Sequence, residues 1–247
     1  MGDHDLTVRF RMARRDPGLT VVEGFHALKH ALRFGAELVE AVAVDPAALE
    51  QLEAELAPDL AGRLSGRVEE IDAEQLADLV PLVPHTGVVA IARRPAVDLA
   101  AVLADARPAP VVLLEQPKNM GNIGACIRVA AAAGAAAVLT SGENDPWFPD
   151  AVRGAAGLHF ALPVAAVAEL PECDRPLLAI DPEGEELHRD RLPARAVLAF
   201  GTERHGISDE LLERADARIA IPMREGVSSL NLATSVAVAL YASRLAS

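Results

Sequence analysis

The sequence predicts an α/β fold in two parts, on three observations. Near-continuous apolar runs such as "APVVLLEQ", "AAVLTSG" and "AVLAFGTE" alternate with segments of helical spacing over residues 109–247. That pattern belongs to a mainly parallel sheet covered on both faces. A smaller alternation of strands and helices fills residues 20–91, and "ARRPAVDLAAVLADARP" (92–108) joins the two. The boundary falls near residue 97: residues 1–96 are a first domain, 97–108 a linker and 109–247 a second domain.

The elements follow in order. "LTVVE" is a short strand that turns at Glu23-Gly24 into a helix, where Phe25, Leu28, Leu32 and Ala36 fall near helical spacing. "LVEAVAVD" alternates as a strand. "PAALEQLEAELAPDLAGRL" is a helix with Pro46 in its first turn, and "DAEQLADLV" a shorter one capped by its aspartate. "TGVVAIARR" closes the first domain as a strand. In the second domain, strand "APVVLLEQ" leads through a loop to a helix over 123–133, and "AAVLTSG" is the next strand. "DAVRGAAGL" reads as helix, "FALPVAAV", "RPLLAIDP" and "AVLAFGTE" as strands, and "SDELLERAD" as a helix capped by Ser208. "ARIAIPM" is the last strand and "LNLATSVAVALYASRLA" the last helix.

Composition bounds the function. Of 247 residues, 51% are apolar and 3% aromatic, and no apolar run is long enough to span a bilayer. The start "MGDHDLTVRF" lacks a basic-then-apolar leader, and Cys126 and Cys173 form no disulfide or metal spacing. A cytoplasmic protein with no membrane contact is expected. The net charge of −13 excludes a generic nucleic-acid coat. Its distribution is uneven: residues 1–35 carry six Lys/Arg against four Asp/Glu, and residues 36–75 carry two against eleven. The basic "RFRMARR", with Lys29 and Arg33 downstream, offers phosphate contacts through Arg9 and Arg11, or else is a solvated terminus.

Three loops at strand ends carry the chemistry. They are "EQPKNMGNIGACIR" (115–128), "FGTERHGIS" (200–208) and "IPMREGVSSLN" (221–231). In parallel sheets ligands bind beyond the carboxyl ends of the strands, and each loop sets glycine beside polar side chains. The glycine spacing for a dinucleotide is absent, as are a Walker lysine, a metal-binding histidine pair and a serine elbow. No metal is expected. Singly, each loop also reads as an ordinary turn, Asn231 as a helix cap and Arg128 as a surface arginine.

Taken in order, "NIGACIRVAAAAG", "FGTERHGIS" and "IPMREGVSSLNLATSVAVALY" resemble the three motifs of the SpoU/TrmH family. These are S-adenosylmethionine-dependent RNA ribose 2′-O-methyltransferases of the SPOUT superfamily. "VVEGFHALKHALRFGAE" resembles the start of the family's ribosomal-protein-like substrate-binding domain. The resemblance implies a deep trefoil knot in the C-terminal domain and a homodimer formed through it. It implies Gly201, Ile221 and Leu230 as cofactor contacts, and Asn122, Arg128, Glu203, Ser229 and Asn231 as the catalytic set. Arg153, in "DAVRGAAG", stands where relatives carry an arginine near the RNA. Ribosomal RNA is expected over transfer RNA. The alternatives are a non-catalytic RNA-binding protein of the same fold, or an NAD-dependent dehydrogenase.

Overall fold

The computed structural model describes residues 3–188, 192–202 and 205–244. The first elements are α1 (Asp3–Ala13), β1 (Leu19–Glu23), α2 (Phe25–Arg33), β2 (Leu38–Ala43), α3 (Pro46–Leu56), β3 (Glu69–Glu70), α4 (Ala73–Leu79) and β4 (Val88–Arg93). Then come α5 (Leu99–Ala104), β5 (Val111–Leu114), α6 (Met120–Ala133), β6 (Ala137–Thr140), α7 (Pro149–Gly154) and β7 (Val164–Ala166). β8 (Leu177–Glu186), β9 (Val197–Phe200), α8 (Asp209–Arg214), β10 (Ala217–Ala220) and α9 (Leu232–Arg244) complete the described chain. Two compact units result: Met1–Ala96 with Trp147–Ala161, and Val97–Pro146 with Leu162–Ser247.

The first unit is built on a sheet of order β1-β4-β2-β3, antiparallel except for the β2–β3 pair. Local signals start its helices. Asp45 caps α3, and Asp72 and Gln75 exchange the reciprocal bonds of a capping box at α4. Pro58 opens a single 3-10 turn, so α3 stops at Leu56 and does not continue to Leu64 as its pattern predicts. Residues 3–13, expected as a basic terminus, form α1. Leu6, Phe10 and Ala13 bury one side of it with Leu76 and Leu79 of α4 and Val21, Val42 and Ile91 of the sheet. Charged residues between these three positions hide the stripe from a reading of the sequence.

A segment expected in the second domain, Trp147–Ala161, belongs to this unit. Thr20 Oγ1 donates to the Trp147 carbonyl at 2.9 Å, and His30 Nδ1 lies 2.8 Å from the Ala156 carbonyl oxygen. A Cβ at Gly157, which has φ +75°, would overlap the Ala27 carbonyl, so helix and turn meet backbone to backbone. The buried Glu23 carboxylate binds Arg14 at 3.2 Å and Arg153 at 2.5 Å. It follows that "FALPVAAV" is strand only at Val164–Ala166, because Leu158–Ala161 is a 3-10 turn.

The second unit holds a sheet of six parallel strands in the order β10-β8-β9-β5-β6-β7. Val111, Leu113, Leu139, Val197 and Ala199 form its core. The stretch expected as a linker, 97–108, instead carries α5, capped by Asp98, and Leu103 of α5 is buried in that core. Arg175 locks it there. Its guanidinium is buried and donates to the carbonyls of Val102, Leu103, Asp105, Ala109 and Arg195 at 2.8–3.3 Å. Burial lowers its pKa, and the donated bonds to the end of α5 offset the lost hydration.

Candidate active site

Strand order places the site. From β5 the chain winds outward through β6 and β7, then returns to lay β9 against the other side of β5, with β8 and β10 beyond it. The order therefore reverses between β5 and β9, and the crevice beyond their carboxyl ends is where such sheets bind ligands. The first and second loops leave the sheet there.

Those two loops are tied together. Glu115, just past β5, accepts from the backbone N–H of Ser208 at 2.8 Å and from its hydroxyl at 2.5 Å. Ser208 Oγ in turn caps α8 by accepting from Leu211 N. Glu115 N also donates to the Phe200 carbonyl at 2.8 Å. Sequence reading passed over Glu115, a carboxylate at a strand end with no local partner. Its partner lies 93 residues away.

The first and third loops meet through two helix starts. Asn119 caps α6, which begins at Met120, one turn earlier than its apolar pattern predicts. Asn231 Oδ1 accepts from Ala233 N and Thr234 N at the head of α9, while its Nδ2 donates to Asn122 Oδ1 at 3.0 Å. At the other end, Arg244 Nη1 of α9 reaches the Ala132 carbonyl of α6 at 3.1 Å. The two helices therefore run parallel, with both positive dipole ends at the Asn122–Asn231 pair. Arg128 is exposed on α6, and among the described residues it makes no hydrogen bond or ion pair. Ala125 and Gly121, one and two turns before it, leave the surface toward the helix start low, and helical side chains lean that way.

The second and third loops enclose a cavity of about 340 Å³, within the range of small-molecule sites. Gly201, Ile221, Ser229 and Leu230 line it, as do Leu232 and Ser235 from the first turns of α9. Gly201 is required sterically. Thr202 and Gly206 exchange two backbone hydrogen bonds at 2.9 and 3.1 Å, folding the chain into a tight hairpin. A Cβ at Gly201 would overlap the Gly206 carbonyl and the Ile207 nitrogen. The sequence also missed the wall formed by Ile180, Asp181 and Pro182. Arg218 of β10 pairs with Ala179 while Ile219 pairs with Glu185, so residues 180–184 are thrown out of the β8 ladder toward the cavity. An Asp-Pro pair after the apolar run "PLLAI" was the available signal.

The remaining candidates stand apart. Glu203 lies outside the described residues. Asn122, Arg128 and Asn231 stand at or near the paired helix heads and are not part of the cavity lining. Arg153, Arg9 and Arg11 belong to the first unit. Arg153 is held by Glu23 and by Asp150 at 2.5 Å. Arg9 is held by Glu40 and Asp5, and the hydrogen bonds it donates to Glu40 raise its pKa above the usual arginine value. Arg11 is exposed, with no ion pair among the described residues.

A site of loops at a sheet's switch point is common to many folds and to many chemistries. Residues 109–241 match the model of the SpoU rRNA methylase family. The chain belongs to that family. Residues 21–97 match a second model, RNA 2′-O ribose methyltransferase substrate binding. Among relatives, the 23S rRNA (guanosine-2′-O-)-methyltransferase RlmB of Bordetella pertussis is 33% identical over 237 residues, covering 90% of this chain and 96% of that one. The 23S rRNA (adenosine(1067)-2′-O)-methyltransferase of Streptomyces azureus is 30% identical, covering 90% and 84%. Among solved structures, the SpoU methyltransferase AviRb of Streptomyces viridochromogenes, in complex with AdoMet, superposes with a TM-score of 0.75. It is 25% identical, with 96% of this chain and 97% of that chain covered. The SpoU family thus spans both units, and its methylase model covers all three loops.

Proposed function

We propose that this chain transfers the methyl group of S-adenosylmethionine to a ribose 2′-hydroxyl of RNA, with ribosomal RNA as the substrate class and the cytoplasm as the place of action. The observation that carries this reading is the meeting of the three motif loops, the first tied to the second by Glu115–Ser208 and to the third by Asn122–Asn231, beside a cavity that the second and third loops line and whose walls suit that cofactor. Phe200, Ile221, Leu230 and Leu232 offer apolar surface to a purine, and Thr202, Ser228, Ser229 and Ser235 offer hydroxyls. The hairpin at Gly201 lets main-chain groups approach closely. Gly201, Ile221 and Leu230 are the proposed cofactor contacts.

The cofactor supplies an already activated methyl group, so the protein's task is to orient the hydroxyl and stabilise the charge it develops. Asn122 and Asn231 fix the heads of α6 and α9, whose dipoles favour an anion between them. Arg128, projecting from α6 and unpaired among the described residues, adds full positive charge there. Its proposed role is to hold the target phosphate and stabilise the emerging alkoxide, because a guanidinium is a poor proton acceptor. Ser229 and Glu203 complete the proposed catalytic set from the other loops. Mapping ribose methylation on ribosomal RNA incubated with the protein and cofactor tests the reading: a new 2′-O-methyl mark is expected, and transfer to a base nitrogen or carbon would overturn it.

Arg11 and, within their ion pairs, Arg9 and Arg153 are the proposed RNA contacts of the first unit. Arg11 is the most accessible, since binding through it displaces no carboxylate. Arg11→Ala is expected to weaken RNA affinity and reduce the salt dependence by about one phosphate contact. An unchanged salt slope removes α1 from the interface. The second unit is proposed to carry the family's trefoil knot and to dimerise. Val238 and Tyr241, exposed one turn apart on α9, together with exposed Val227 and Leu230, support that reading. Sedimentation is expected to give a dimer mass, and a monomer at micromolar concentration would refute it.

A further inference from the structure

The cavity contains a charge that neither the orienting asparagines nor Arg128 explains. Among its described lining residues, Asp181 is the one with an ionisable side chain; the others are apolar, glycine, hydroxyl or thioether groups. Its placement is built into the fold, because residues 180–184 leave the β8 ladder as a bulge that carries Asp181 to the cavity wall. The carboxylate is also oriented. Oδ1 accepts from Glu183 N at 2.8 Å, which fixes the side chain in a local turn through one of its two oxygens. Asp181 is half-buried, so its field in the cavity is less screened by solvent than that of a surface carboxylate.

We propose that Asp181 is a specificity residue that reads the positive charge of the methyl donor, favouring S-adenosylmethionine over S-adenosylhomocysteine. This rests on the assignment of the cavity to that cofactor. The two ligands share adenosine and an amino-acid tail and differ in one methyl group and one charge. In the transfer, the carbon–sulfur bond to the methyl breaks, a carbon–oxygen bond to the ribose forms, and the hydroxyl proton passes to solvent. The sulfonium keeps the electron pair and becomes a neutral thioether. The cation facing Asp181 disappears at that step while the carboxylate keeps its charge. The same group that draws the donor in therefore ceases to hold the spent product. A cavity of about 340 Å³ confines any bound sulfonium to the neighbourhood of the carboxylate.

Calorimetric titration of both ligands into wild type and Asp181→Asn tests this. Asparagine keeps an oxygen for Glu183 N and removes only the charge. S-adenosylmethionine affinity is expected to fall about ten-fold, as for loss of a charge-assisted contact, and S-adenosylhomocysteine affinity no more than about three-fold. Equal losses for both would overturn the proposal and make Asp181 a hydrogen-bond acceptor for the shared ribose; no change for either would overturn it too. A second measurement needs no variant. In wild type the donor-to-product affinity ratio is expected to shrink as potassium chloride rises from about 0.05 to 0.5 M, through screening, and a flat ratio counts against the proposal. Failure of wild type to bind either ligand would refute the cofactor assignment itself, a result separable from the two above.

Discussion

Replacing Arg128 by alanine is expected to lower the single-turnover rate of methyl transfer by 10² or more while leaving S-adenosylmethionine affinity within about three-fold. The size follows from loss of a preorganised charge at a developing oxyanion, which costs roughly 10²–10³ in rate. The selectivity follows from position. Arg128 projects from α6, whereas the cavity is lined by the second and third loops, by the β8 bulge and by the first turns of α9. Its side chain holds no carboxylate or backbone carbonyl in place among the described residues, so its removal leaves the fold's own bonds intact. Arg128→Lys keeps the charge and loses the planar fork, and an intermediate rate is expected. A near wild-type rate in the alanine variant would mean that the reacting oxygen lies elsewhere. An equal collapse of cofactor affinity would move Arg128 from catalysis to binding.

Gly201→Ala is expected to have the opposite signature: cofactor affinity is lost, by 10² or more, and transfer with it. The added methyl cannot fit between residue 201 and the Gly206–Ile207 peptide. The hairpin must open, breaking the two Thr202–Gly206 hydrogen bonds and displacing the cavity wall. β9 ends at Phe200 and is paired on both sides by β5 and β8, so the sheet itself is expected to persist. Calorimetry with S-adenosylmethionine and near-native circular dichroism together check this. Retained affinity would show that the hairpin is not part of the cofactor's cradle.

How much of this was legible depended on the range of the interactions involved. "VVLL" and "VLAF" announced buried strands because both faces of a parallel sheet are covered, and every residue in them is buried. Asp72 and Ser208 announced helix starts because a cap acts over three residues. The membership of Trp147–Ala161 was not legible. It depends on Glu23 meeting Arg153 across 130 positions and on Gly157 touching Ala27. Arg153 and Arg9 read from the sequence as free cations, and the structure gives each two carboxylate partners. Asp181 was overlooked because its Asp-Pro pair marks a break in the strand without telling where the freed residues go. The bulge exists only where β10 slips against β8.

The sequence by itself determined the α/β class, the three loops and the family they belong to, because strand burial, caps and motif residues are each encoded within a few neighbouring positions. Tertiary structure alone decided which loops share a wall, which arginines remain accessible and which carboxylate faces the cavity. Those outcomes turn on strand order and register, and a one-residue slip in register exchanges the faces of a strand. The pairings that fix them, Glu115 with Ser208 and Asn122 with Asn231, close over 93 and 109 positions.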